Sequence, residues 1–153
     1  MDRKTLIAEF KKYFDIRELV CRDVYKAFGE KAWQFFDLQF LQMLLITRRD
    51  INTEGMIVNN WNVGKPYSQR GLRCNICDIP EEKTKAGQIY MSAHCNGAAL
   101  DYDVPGLTAQ QVRQRILYNS DKFPFKIRLE GGVNWVHQDI YDDINSTQKV
   151  TIF

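Results

Sequence analysis

Only two histidines occur in this chain, His94 and His137, and each stands in a segment that also carries a carboxylate. The first segment is Ser92-Ala93-His94-Cys95-Asn96-Gly97-Ala98-Ala99-Leu100-Asp101, and the second is Trp135-Val136-His137-Gln138-Asp139. Imidazole and carboxylate together make the donor set of a catalytic zinc site, in which three protein ligands leave a fourth position to water. The spacing supports convergence. Asn96-Gly97 is a tight-turn pair, and the small apolar run Ala98-Ala99-Leu100 would return Asp101 toward His94. Residues 135–140 read as a strand, whose two-residue period puts Trp135, His137 and Asp139 on one face. On these residues alone, the alternative is a pair of histidines on the surface or hydrogen-bonded in the core.

The four cysteines, Cys21, Cys74, Cys77 and Cys95, offer a second metal reading. Cys74-x-x-Cys77 has the spacing of half a zinc ribbon, with His94-Cys95 as the other half. A ribbon normally repeats the paired spacing, and this one would leave Asp101 and His137 without a role. The default expectation is free or locally packed thiols, all four reduced.

The pattern Ser92-x-His94-x-x-Gly97-x-Ala99-x-Asp101, followed by Trp135-x-His137, resembles the signature of the zinc D-Ala-D-Ala carboxypeptidase and L-alanyl-D-glutamate endopeptidase family. The resemblance runs from about Met56 to Ile140 and matches five spaced positions of the first motif. It implies a Hedgehog/DD-peptidase fold, Zn2+ held by His94, Asp101 and His137, and a peptidoglycan stem peptide as substrate. Gly71-Leu72-Arg73 is similar to the family's Ser-Gly-Tyr-Arg segment, with Arg70 in place of the serine. Arg73, Ser92 and Trp135 are the substrate contacts so implied. Many members carry Glu, Asp or His three residues before the last ligand, where this chain has Asn134, which cannot carry a proton. Other members place an aspartate two residues after that ligand, where Asp139 stands.

The implied chemistry is amide hydrolysis. Zinc would lower the pKa of its water from about 16 to about 7, and a nearby carboxylate would relay the proton to the leaving amine. Asp139 is the first candidate for that relay. Neighbours on one strand face lie roughly 7 Å apart, however, so Asp139 could instead orient His137. Glu130, across an expected hairpin, is the second candidate. Arg73 would stabilise the oxyanion or clamp a substrate carboxylate. Two rival functions remain: a catalytically inactive cell-wall-binding or virion domain on the same frame, favoured by Asn134, and a cysteine-zinc interaction module.

The elements that must position these residues read as α+β, with N-terminal helices packed on a small antiparallel sheet. Helices are expected from about Lys4 to Tyr13, from Ile16 to a stop at Gly29, and from Lys31 to Thr47 with Trp33, Phe36, Phe40, Leu41, Leu44 and Leu45 inward. Residues 56–61 read as a strand and 63–86 as mostly loop. Leu100–Val104 alternates as a strand, placing Asp103 on the face of Asp101 as either a supporting or a solvated carboxylate. Thr108 and Gln111 form a capping box that opens a helix to about Tyr118. Residues 126–129 and 134–140 form the hairpin, and 149–153 an edge strand.

The 153 residues suit one domain, 1–153, with mixed charge summing to +2 and no basic run suited to nucleic acid. No stretch is apolar enough for a membrane span, and the charged N-terminus lacks a signal-peptide core. The corresponding expectation is a monomer made in the cytoplasm without a signal peptide. Such a phage- or prophage-encoded protein would act at the bacterial wall through a holin or as part of a virion.

Overall fold

A computed structural model describes residues 1–153. The first third is a helical layer. Helix α1 (Arg3–Phe10) begins where the Asp2 side chain accepts from the Thr5 amide at 2.8 Å, and it buries Leu6 and Phe10. A capping box between Asp15 and Glu18 opens α2 (Ile16–Leu19). That helix stops after one turn because Val20 is extended and bridges Leu72 in parallel. Helix α3 (Arg22–Phe28) follows, ending at Gly29 with φ +52°. The single helix expected from Ile16 to Gly29 is therefore two, and the break is what brings Cys21 against the segment after Gly71.

The expected helix 31–47 is also divided. Gly29–Phe35 is a 3-10 turn, Phe36 is extended, and Asp37 caps α4 (Leu38–Ile46) by accepting from the amides of Gln39 and Phe40. One π turn, Thr47–Ile51, closes α4, with the Thr47 hydroxyl donating back to Met43 O. The apolar side chains expected inward are buried all the same, in one core of 31 residues.

Residues 56–61 are not a strand. Only Ile57 bridges Asp103, after which the Asn59 side chain takes over, donating to Val20 O and accepting from the Arg70 amide. The expected loop 63–86 contains helix α5 (Asp78–Lys85), whose one buried residue is Pro80, tolerated in the first turn. Helix α6 (Ala109–Tyr118) starts at the anticipated Thr108–Gln111 capping box.

Four strands follow the order β1 (Ala99–Tyr102), β3 (Val136–Asp139), β2 (Ile127–Leu129), β4 (Val150–Ile152). The sheet is mixed, where a purely antiparallel one was expected: β1/β3 and β2/β3 are antiparallel and β2/β4 is parallel. Strand β3 is paired on both edges, and β4 adds to the outer edge of β2, running in the same direction as that strand. Leu100, Tyr102, Ile127, Leu129, Val136 and Gln138 face the core and are fully buried. Within that core Gln138 meets the hydroxyls of Tyr102 and Thr47 at 3.0 Å each, tying β3 to β1 and to the end of α4. Alternation then leaves the other face of the sheet to Asp101, His137 and Asp139.

Candidate metal centre

The register sets Asp101 directly opposite His137 in the β1/β3 ladder, so cross-strand neighbours on one face become chemical neighbours. His137 Nδ1 lies 2.8 Å from Asp101 Oδ1, and His94 Nε2 lies 3.3 Å both from Asp101 Oδ2 and from His137 Nδ1. His94 arrives from a turn. Ser92 Oγ accepts from the His94 amide, and Gly97, at φ +64°, packs so tightly that a Cβ there would sit 2.2 Å from Phe35 O. Only glycine fits that position, in the turn that lies between His94 and Asp101.

Each donor is oriented from behind. His94 Nδ1 lies 3.0 Å from Gly71 O, which makes Nδ1 the protonated nitrogen and turns Nε2 to the cluster. Gly71 is itself wedged against α2, where a Cβ would meet Leu19 O at 2.0 Å, while the Leu72 amide donates to that oxygen at 2.8 Å. On the far side, His137 Nε2 lies 3.1 Å from Asp139 Oδ2. Asp139 is almost wholly buried and gripped by Arg128 through both oxygens, at 2.9 and 2.8 Å, with the Tyr141 amide adding a third donor.

These contacts set the charges. Burial opposes a cation on His137, yet the hydrogen bonds its ring donates to Asp101 and Asp139 outweigh it and raise its pKa to about 9. For His94 burial dominates and its pKa falls. Asp101 and Asp139 are both penalised by burial, but their imidazole partners, and Arg128 in the case of Asp139, carry both below the usual carboxylate range.

The donor set is compatible with a metal ion: His94, Asp101 and His137 bring one ligand atom each within 4.8 Å of one another. Tetrahedral bonds of about 2.0–2.1 Å place neighbouring ligand atoms about 3.3 Å apart. The two contacts of His94 Nε2 have that separation.

Arg73 lies beside the cluster, nearly buried. Its guanidinium donates to Asp101 Oδ2 at 3.0 Å, to Tyr90 Oη at 3.1 Å and to Gln69 O at 2.5 Å. Trp135 lines a cleft of about 320 Å³ together with Tyr67, Gln69, Arg70, Arg73 and Asp101. Glu130 is on β2's continuation. Its amide donates to His137 O at 3.3 Å, which extends the register to set Glu130 opposite His137, and its carboxylate forms no ion pair. Asn134 is exposed and lines a different cleft, beside Asp103, Thr108 and Val136. Asp103 is paired with Arg70 at 2.5 Å, and Arg70 lies over the Tyr67 ring.

Sequence reasoning missed Arg128, Tyr90 and the Gly71 carbonyl. Arg128 carried a findable signal, since an arginine on the strand paired with Asp139 is a charge partner once the register is known. Arg113, also missed, holds the β2–β3 connection from beneath by donating to the carbonyls of Glu130, Val133 and Trp135. Set against protein-family models, curated proteins and solved structures, the chain matches none of them. No helix is long and apolar enough to cross a membrane.

Proposed function

We propose that this protein is a zinc-dependent peptidase that hydrolyses an amide bond in peptidoglycan stem peptides. The observation that carries the reading is the meeting of His94, Asp101 and His137 at ligand separations, each held from behind by a hydrogen bond, beside an open cleft. The motif resemblance supplies the substrate class. A bound zinc would polarise the scissile carbonyl and make a water acidic near neutral pH.

The chain's own residues divide the remaining work. Asp139 holds the His137 ring through Nε2, and Arg128 holds Asp139. With both oxygens so engaged, Asp139 suits an orienting role, and Glu130, beside His137 without an ionic partner, is the better proton carrier. Arg73 neutralises Asp101 and borders the cleft where a substrate carboxylate or oxyanion would lie. Arg70 and Tyr67 give the same cleft a cationic, aromatic wall suited to an anionic peptide.

A second reading, a wall-binding or virion domain without turnover, draws support from Asn134, whose exposed amide stands where many members of the resembled family carry an ionisable group. Incubating zinc-loaded protein with purified muropeptides of several wall types, followed by mass spectrometry, decides between them. New amine termini, lost in His137→Ala, support the peptidase. Binding without cleavage in every wall type supports the second reading.

A further inference from the structure

Cys21, Cys74 and Cys77 come together although Cys21 is 53 residues from Cys74 in sequence. Cys21 Sγ lies 3.6 Å from Cys74 Sγ, and Cys74 Sγ lies 3.5 Å from Cys77 Sγ. These separations are far beyond a disulfide's roughly 2.05 Å. Zinc–sulfur bonds of about 2.3 Å in a tetrahedron give sulfur–sulfur edges of about 3.8 Å, within a few tenths of those found. A carboxylate oxygen of Asp23 completes the group, all four ligand atoms lying within 4.8 Å of one another.

We infer that Cys21, Cys74, Cys77 and Asp23 form a second metal site, a structural one that takes zinc or another soft divalent cation. The local backbone is built for thiolates. The Cys74 amide points at Cys77 Sγ at 3.4 Å, while the Cys77 amide donates to Cys74 O at 3.2 Å, the turn that a C-x-x-C pair forms around one ion. Cys21 is brought in by a main-chain stitch, its amide donating to Leu72 O at 2.9 Å. Cys21 and Cys77 are buried, and Asp23 lies at the open side, on a cleft of about 160 Å³ that Cys21 and Cys77 also line. Three sulfurs and one oxygen form a closed four-ligand set of a structural centre, with no position kept for substrate. Binding displaces the thiol protons and involves no change of oxidation state.

This site differs from the ribbon considered from sequence. His94 belongs to the other cluster, and Cys95 lies outside the cysteine group. Its ligands are also independent of the proposed hydrolysis, so its test does not depend on turnover.

The test uses the full chain purified with zinc present throughout. His137→Ala removes the histidine centre, so metal analysis of that variant should find one zinc per chain, and His137→Ala combined with Cys74→Ser should find none. Cobalt substitution of the wild type gives a reading that needs no variant: a thiolate-to-cobalt charge-transfer band should appear. Thiol labelling of the native zinc-loaded protein should modify Cys95 alone, and a chelator should expose three more. A zinc-free His137→Ala protein that is folded, a cobalt spectrum without thiolate bands, or a Cys74–Cys77 disulfide in the native protein would each overturn the site.

Discussion

Asp139 Oδ2 meets His137 Nε2 at 3.1 Å, and neither oxygen of that carboxylate is left free. A group so engaged orients the ring whose other nitrogen faces the cluster. Asp139→Asn is therefore expected to weaken zinc binding roughly 10–100-fold and to regain activity when zinc is added in excess. Turnover that stays low at saturating zinc would return the proton-carrying role to Asp139.

Glu130→Gln carries the complementary expectation. If Glu130 relays the proton, turnover on muropeptides falls about 10²–10⁴-fold while zinc content and KM stay near wild type. Steady-state kinetics at full zinc occupancy checks this, and an unchanged rate removes Glu130 from the chemistry.

His137→Ala should lose the zinc at the histidine centre while keeping its far-ultraviolet dichroism. The other face of β3 is untouched, with Val136 and Gln138 still buried in the core. Retention of that zinc in the folded variant would remove His137 from the ligand set.

The raised pKa of His137 fixes a sign for pH dependence. Its protonated form stabilises the metal-free protein, a contribution fully present below about 6.5 and lost as pH rises through about 9. Asp101 and Asp139 act oppositely, stabilising above about 3.8 and losing that contribution as pH falls through their lowered values. Metal must displace the His137 proton, so zinc affinity of this centre should rise about tenfold per pH unit between pH 6.5 and 9. Competition titrations with a chelator of known pH behaviour measure it, and a flat profile would contradict the charge assignment.

Glycines separate two kinds of backbone demand. Gly97→Ala meets both a left-handed φ and the Phe35 carbonyl at 2.2 Å, whereas Gly106→Ala, at φ +77°, meets nothing within 4 Å. The first should cost about 3 kcal/mol or more and the second about 1 kcal/mol, read from denaturant midpoints. Equal costs would mean that the His94 turn is not wedged against Phe35.

Much of the candidate site was legible because ligand chemistry is local. His94, Gly97 and Asp101 lie within one turn and strand, and the alternation of residues 135–139 placed His137 with Asp139. Legibility ended where a partner is distant in sequence. Nothing near Gly71 announces that its carbonyl holds His94, and nothing near Cys21 announces the Val20–Leu72 bridge that carries it to Cys74. Helix breaks were missed for a related reason. The apolar period of residues 31–47 runs unbroken through Phe36, whereas the Asp37 cap decides where α4 begins. Helix α5 was missed because it buries only Pro80 and so leaves almost no apolar stripe to read.

Residues 71–74 touch both clusters. The Gly71 carbonyl holds His94, Arg73 donates to Asp101, and Cys74 stands among the sulfurs. One short strap therefore serves both clusters, and any displacement of it at one is imposed on the other. Were both proposed centres filled, the two binding equilibria would be linked, and linkage is symmetric. By whatever factor an ion on the cysteines tightens the histidine centre, an ion on the histidines tightens the cysteine centre by the same factor. Stripping either one would change the other's affinity by that same factor.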